Sequence, residues 1–359
     1  MWPDRRLLDL LDIELPIVQA PMAGAMDFAL AVAVAEAGGL GSLPCGMISA
    51  LQIREQFDQL RQRTTKPVAL NFFCHAPPEL NNAREAAWRN RLDPYYRELG
   101  VDPAAPVPSS HRAPFNTELC DLVLELRPPV VSFHYGLPDA ALVRRLKGAG
   151  CTILCSATTV AEARKVAADG ADAIIAQGYE AGGHRGMFLS DDLGAQLGTF
   201  ALVPQIADAV RVPVIAAGGI TDARAIVAAL ALGAVGVQIG TGYLFTPEAK
   251  ISAAYRAALA EAETRGTAVT NVFSGRPARG LVNRMIREVG PLSELAPQFP
   301  LATGAILPLR AKAEQEGSGD FTPLWAGQAA AVGRAMPAGE LTRTLAEEAL
   351  ARMRELGRS

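Results

Sequence analysis

No run in this 359-residue chain approaches the 18 or more apolar residues of a membrane-spanning helix. The first 16 residues carry acids inside their apolar stretch, where a signal peptide has none, so a cytoplasmic location is expected. Charge of one sign is not in excess either. With 34 basic residues against 37 acidic ones, the chain carries no electrostatic footprint for nucleic acid or an anionic membrane, and neither is expected as a partner. Five cysteines (Cys45, Cys74, Cys120, Cys151, Cys155) form an odd set without a Cys-x-x-Cys pair, which suits small buried side chains in a reducing compartment better than a disulfide framework. The four histidines, His75, His111, His134 and His184, never stand at metal-ligand spacing, so no metal is expected. Also missing are a Gly-x-Gly-x-x-Gly opening a helix, a P-loop, a His-Glu-x-x-His and a Gly-x-Ser-x-Gly. A Rossmann nicotinamide site, a nucleotide P-loop, a zinc protease and a serine hydrolase are therefore disfavoured.

What is present is a regular alternation. Half the residues are apolar, enough for one large barrel or two modest domains, and Gly and Pro at about 16% together stay below a low-complexity level. Eight short apolar runs of strand length occur at 16–19, 40–43, 68–72, 130–134, 152–156, 173–177, 213–217 and 235–240, separated by segments of helical spacing. Ser49 with Gln52, and Thr159 with Glu162, match the capping box, and Ile53, Phe57 and Leu60 then mark one buried helical face. Gly39, Gly150, Gly170 and Gly233 sit just before the next strand, where a left-handed helix end is easiest. Eight such units predict an α/β fold, a (β/α)8 TIM barrel over residues 1–250. The period breaks twice. Residues 78–128 read as an insertion after strand three, helical in two stretches, and residues 251–359, without strand runs, read as a helical cap packed on the barrel.

In a parallel barrel the C-terminal strand ends carry the chemistry. Strand one runs into small residues at 19–25, including Ala20 and Met22, that admit a planar ligand; strand three ends in Asn71; strand four places Ser132 and His134 on one face by its period of two. Strand six ends in Gln177 and enters a glycine-rich loop, with Gly182, Gly183 and Gly186 around His184, that continues to about residue 198. That is longer than the usual two to six residues of such loops. An imidazole among glycines can bind or deprotonate a small substrate near neutral pH. The loops after strands seven and eight, with Gly218 and Gly219, then Gln238, Ile239, Gly240 and Thr241, present amides where barrels commonly bind phosphate.

These strings together resemble the nitronate monooxygenase family: Gln-Ala-Pro-Met at 19–22, Ser-Phe-His-Tyr-Gly-Leu-Pro at 132–138, the glycine-histidine loop at 177–186, Ala-Ala-Gly-Gly-Ile at 216–220, Gln-Ile-Gly-Thr at 238–241, and a tail at 317–328. The resemblance implies an FMN-binding TIM barrel. Met22, Asn71, Gln177 and Gly182 would line the flavin ring and ribityl chain, and Gly219, Gln238, Gly240 and Thr241 would hold the phosphate end. Ala20, Gly183, Gly218 and Ile239 complete the expected cofactor set. His184 matches the family's catalytic histidine, with His134 as second candidate. The implied reaction is oxidation of an alkyl nitronate, such as propionate 3-nitronate, by O2, with release of nitrite and a carbonyl compound. A nitronate is already an anion, so His184 is expected to hold its oxygens and to act as a base only on a neutral nitroalkane. Where the family carries tyrosines and a lysine, this chain reads Phe299, Thr303 and Leu307.

Two other readings stay open on the same residues. One is an NAD(P)H-dependent FMN reductase, of the quinone reductase or enoyl-acyl carrier protein reductase type, since such relatives share the glycine loops. The other is a flavin- or phosphate-binding protein without catalysis. The oligomeric state is not set by the sequence, with a homodimer as the assembly to test.

Overall fold

The computed structural model describes residues 2–103 and 112–358. The proline-rich stretch at 105–110 and His111 lie outside the described residues. Eight parallel strands form the central sheet: β1 (Ile17–Gln19), β2 (Gly41–Pro44), β3 (Val68–Phe73), β4 (Val130–His134), β5 (Thr152–Ala157), β6 (Ala173–Gln177), then, after a two-residue β7 (Gly183–His184), β8 (Val214–Ala217) and β9 (Gly236–Ile239). Their order is β1-β9-β8-β6-β5-β4-β3-β2. The ring is closed between its ends: the Gln19 amide donates to Leu40 O at 2.8 Å and the Leu40 amide to Ile17 O at 2.9 Å. The expected TIM barrel is what forms, with each strand within a residue or two of its expected place.

Local rules account for most of the helices around it. Ser49 and Gln52 make a reciprocal capping box, and the face of Ile53, Phe57 and Leu60 is buried as its spacing demands. The second expected box is only half made. Thr159 accepts from the Glu162 amide, but the Glu162 carboxylate turns inward to other partners described below. Gly150, Gly170 and Gly233 take left-handed φ values of +84°, +111° and +98°, whereas at the first site it is Gly38 (φ +93°), not Gly39, that turns the chain. Gly39 is needed for another reason: a Cβ there would lie 2.8 Å from Ile17 O in the neighbouring strand.

The two breaks in the period resolve differently from expectation. Of the insertion, the helix Thr117–Leu126 belongs to the barrel, where Cys120, Leu122 and Val123 join the main core, while the helix Asn82–Glu98 leaves it. Trp88, Leu92, Tyr95 and Tyr96 of that helix pack with Phe273, Met285, Ile286, Leu309 and Phe321 in a separate apolar core. The segment 251–359 is not the purely helical cap that its lack of strand runs suggested. It contributes β10 (Thr267–Thr270) and β11 (Ala278–Leu281), which form an antiparallel three-stranded sheet with β7 in the order β10-β11-β7. These strands are short, and β11 carries an Arg and a Gly, so their pairing is set by the partner strand rather than by local pattern. The final helix Ala338–Leu356 also departs from the cap. Leu341, Leu345, Ala346 and Ala349 are buried in the barrel core, and this helix packs against the helices Ala223–Ala231 and Phe28–Glu36 in the outer layer.

Candidate active site

One deep cavity of about 280 Å³ opens at the C-terminal ends of the barrel strands. Strand periodicity and the loops beyond bring Ala20, Met22, Asn71, Ser132, His134, Gln177, Gly182, Gly183, His184, Gly218, Gly219, Gln238, Gly240 and Thr241 to its wall. Ile239 is the exception among the expected site residues. Alternation in β9 turns its side chain into the barrel core, fully buried, and away from the cavity. Among the described lining residues there is no Asp or Glu, while Arg112, Lys250, Arg310 and two histidines are present. Lys250 is paired with Asp27 at 3.4 Å and Arg310 with Glu314 at 3.0 Å. The wall as a whole suits an anion.

His184 stands on β7, and pairing of β7 with β11 sets its direction: Ala278 is opposite His184 and Arg279 opposite Gly183. Its ring lies between Phe299 and Trp325, each 5.3 Å away centre to centre, and Nε2 is 2.8 Å from the Ser274 hydroxyl. Burial, and then the Arg112 guanidinium, hold its pKa well below the ordinary 6.5, so the imidazole is neutral.

His134, at the end of β4, uses both ring nitrogens. Nε2 lies 3.3 Å from the His184 carbonyl oxygen, which can only accept, so Nε2 carries the proton. Nδ1 then accepts from the Ser156 hydroxyl at 2.7 Å. Burial, followed by the charge of Arg276, lowers His134 to about 3, in keeping with this neutral form. Gln177 is similarly occupied: its Nε2 donates to the same His184 carbonyl at 2.9 Å and its Oε1 accepts from the Gly186 amide at 2.7 Å. Asn71 Nδ2 donates to Ser132 Oγ at 2.9 Å.

The glycine loops after β8 and β9 form the opposite end of the cavity. Gly218 and Gly219 sit at φ +110° and +71°, which only glycine adopts without strain. Among the described residues the amides of Gly219, Gly240 and Thr241 donate to no protein acceptor. The Thr241 hydroxyl accepts from the Gly327 amide at 2.9 Å, which ties this end to the segment 325–328. Gly182 is pressed against that segment so closely that a Cβ would lie 2.5 Å from the Gly327 nitrogen.

Two buried charges brace the long loop between β6 and the helix Thr199–Ala209. Arg185 is fully buried and donates to Gly178 O at 2.6 Å, Gln177 O at 2.8 Å and Gln196 Oε1 at 2.9 Å. Glu162 is also buried and accepts from the Thr158 amide and hydroxyl, each at 2.7 Å, and from the Phe188 amide at 2.6 Å.

Several cavity residues escaped the sequence reading. Ser156 lies near the end of β5, where the strand-end rule could have found it. The period of two in β4 would turn Tyr135 to the face opposite His134, but it takes φ +72° just beyond the strand and enters the wall. Arg112 in the wall, and Ser274 behind it against His184, come from outside the barrel strands, and no local signal marks them. Of the three positions where the resemblance expects tyrosines and a lysine, Phe299 lines the cavity, the Thr303 hydroxyl donates to Phe273 O at 3.1 Å, and Leu307 is not part of the wall.

A closed parallel barrel with one deep, acid-free cavity at its active face and two neutral histidines in the wall is the build of a barrel enzyme acting on a small molecule. The comparisons with known proteins narrow the class. The chain belongs to the nitronate monooxygenase family, whose model matches residues 4–348. It is 45% identical over 345 residues to a nitronate monooxygenase of Pseudomonas aeruginosa, covering 96% of this chain and 98% of that one. It is 44% identical to one of Paraburkholderia phytofirmans, covering 96% and 94%. Among solved structures, nitroalkane oxidase from Streptomyces ansochromogenes superposes with a TM-score of 0.89 at 39% identity, covering 98% and 99% of the two chains. FabK from Thermotoga maritima does so with a TM-score of 0.74 at 30% identity, covering 98% and 97%. The chain is thus an enzyme, an oxidoreductase of the class that oxidises nitronates.

Proposed function

We propose that this chain oxidises alkyl nitronates with O2, giving nitrite and a carbonyl compound, with FMN held at the barrel mouth. The observation that carries the reading is the neutral His184 in a cavity whose wall holds the Arg112 guanidinium, which has no ion-pair partner among the described residues, and no described carboxylate. Such a wall favours an anionic substrate and disfavours its release of charge by protonation.

The residues present fit FMN. The free amides of Gly219, Gly240 and Thr241 suit a phosphate, as backbone donors at loop and helix starts do elsewhere. Ala20, Met22, Gly182, Gly183 and Gly218 offer a wall of small or apolar groups for a planar ring, and Asn71, Gln177 and Gln238 supply polar contacts along it. Bound there, FMN supplies the one-electron chemistry with the nitronate and O2. The protein's own part is position and charge. Ser274 Oγ, 2.8 Å from His184 Nε2 and 3.3 Å from the Arg276 carbonyl oxygen, engages the Nε2 side of the ring and leaves Nδ1 for the substrate. A neutral imidazole whose protonation is opposed by burial and arginines is a weak base, so His184 orients the anion rather than removing a proton from it. Phe299 and Trp325 against the ring exclude water from that contact.

The test is the visible flavin spectrum of the purified protein, mixed anaerobically with an alkyl nitronate and, separately, with NADH or NADPH. Loss of the oxidised flavin band with the nitronate alone is the expected result. Bleaching by the nicotinamide alone would overturn the reading in favour of a reductase, for which the FabK likeness at 30% identity is the lesser support.

A further inference from the structure

Beside His184, the wall residues Tyr135 and Arg112 and, stacked on Tyr135, Arg276 form a group of donors that the chain itself does not satisfy. Arg276 stacks on Tyr135, its guanidinium carbon 4.2 Å from the ring centre, and donates to the Met187 carbonyl, yet its Nε is buried without a partner. Tyr135 is only 3% exposed and its hydroxyl likewise has no partner. Arg112 lies 5.5 Å from the centre of the Phe299 ring. Neither Arg112 nor Arg276 has a carboxylate within ion-pair distance among the described residues, unlike the third arginine nearby, Arg310. The Phe299 ring ties the group together, since it touches Tyr135 at 5.7 Å and His184 at 5.3 Å.

Buried donors without acceptors are costly, and two guanidiniums without a counter-charge more so, unless a ligand completes them. A planar carboxylate is the matching acceptor, because it takes two parallel N–H bonds from a guanidinium and an O–H from a phenol. We propose that Arg112 and Arg276, with the Tyr135 hydroxyl, form a second anion subsite that holds a carboxylate at the far end of the nitronate. The pair thereby selects carboxylate-bearing nitronates over alkyl nitronates of similar length. This rests on the proposed nitronate oxidation and assigns its selectivity to residues outside the sequence motifs.

The experiment compares propionate 3-nitronate with butyl 1-nitronate in O2-uptake assays on wild type, Arg112→Gln, Arg276→Gln and Arg276→Lys. The ratio of their kcat/KM values falls by about tenfold or more in both glutamine variants, and by less in the lysine variant, which keeps the charge. A turnover-free arm titrates propionate into each protein by calorimetry, with the glutamine variants binding about tenfold more weakly. Because Arg276 also supports the Met187 carbonyl, Arg112→Gln carries the test if Arg276→Gln does not fold. A ratio and a propionate affinity that both stay at the wild-type value overturn the subsite. If wild type oxidises neither nitronate, it is the proposed function that falls, and the propionate titration alone then decides the subsite.

Discussion

His134 grips His184 by its backbone and not by its ring. The Nε2–H of His134 points to the His184 carbonyl oxygen at 3.3 Å, and Gln177 donates to the same oxygen at 2.9 Å. Two residues read from the sequence as a catalytic candidate and a cofactor contact thus share a task, which is to fix the peptide that presents His184. The His184 ring is left to the cavity and Ser274.

His184→Asn is expected to keep the fold and the flavin while kcat with a nitronate falls about 10²-fold, the usual cost of one lost donor to an anionic centre. Flavin absorbance of the purified variant together with O2-uptake rates checks this. A variant turning over at the wild-type rate would remove His184 from the chemistry.

Acidity should touch stability before it touches the chemistry through His184. His134 stands at about 3 and His75 at about 4, both lowered chiefly by burial from an ordinary 6.5. Between those values and 6.5 the unfolded chain binds more protons than the folded one, so their stabilisation is complete above about pH 6.5 and shrinks as pH falls. The loss is up to about 1.4 kcal/mol per pH unit for each histidine. Urea unfolding at pH 7.5 and 5.5 measures it, and an equal or greater stability at pH 5.5 would contradict the assignment. The kcat/KM for a nitronate should meanwhile show no ionisation near 6.5, since His184 is neutral on both sides of it.

Arg185→Met should destabilise the protein by about 2–4 kcal/mol, because it strands two buried carbonyls and Gln196 without a donor. Burial lowers the Arg185 pKa to about 10, which still leaves it charged at neutral pH. Chemical denaturation gives the stability change, and proteolysis should cut the 185–198 loop faster in the variant.

Gly182→Ala places a methyl 2.5 Å from the Gly327 nitrogen and 2.6 Å from the Ala326 carbonyl carbon, both backbone atoms that cannot turn aside. The segment 325–328 must move, and with it the Gly327 bond to Thr241. The expected outcome is protein that folds but is purified with much less flavin than wild type. Full flavin content would show that the segment yields without disturbing the site.

Much of the barrel was legible because its causes are local. A parallel strand buried on both faces reads as a short apolar run, a capping box such as Ser49 with Gln52 marks a helix start, and the strand-end rule pointed to Asn71, His134 and Gln177. The same locality explains the misses. Glu162 matches a capping box in sequence, yet its carboxylate serves Phe188, a partner 26 residues away that no local pattern announces. Ile239 shares a motif with Gln238 and Gly240, but its side chain follows the pleat into the core.

By itself the sequence determined the barrel, the family, the glycine loops and the histidine at their centre, since each depends on residue types at short, fixed spacing. Tertiary structure alone decided what surrounds that histidine. The sheet that aims His184 is made with β11, more than 90 residues further on, and Ser274, Arg276 and Phe299 arrive from the same distant segment. Contacts of that separation are chosen by packing and by buried groups seeking partners, and neither leaves a periodic trace in the chain.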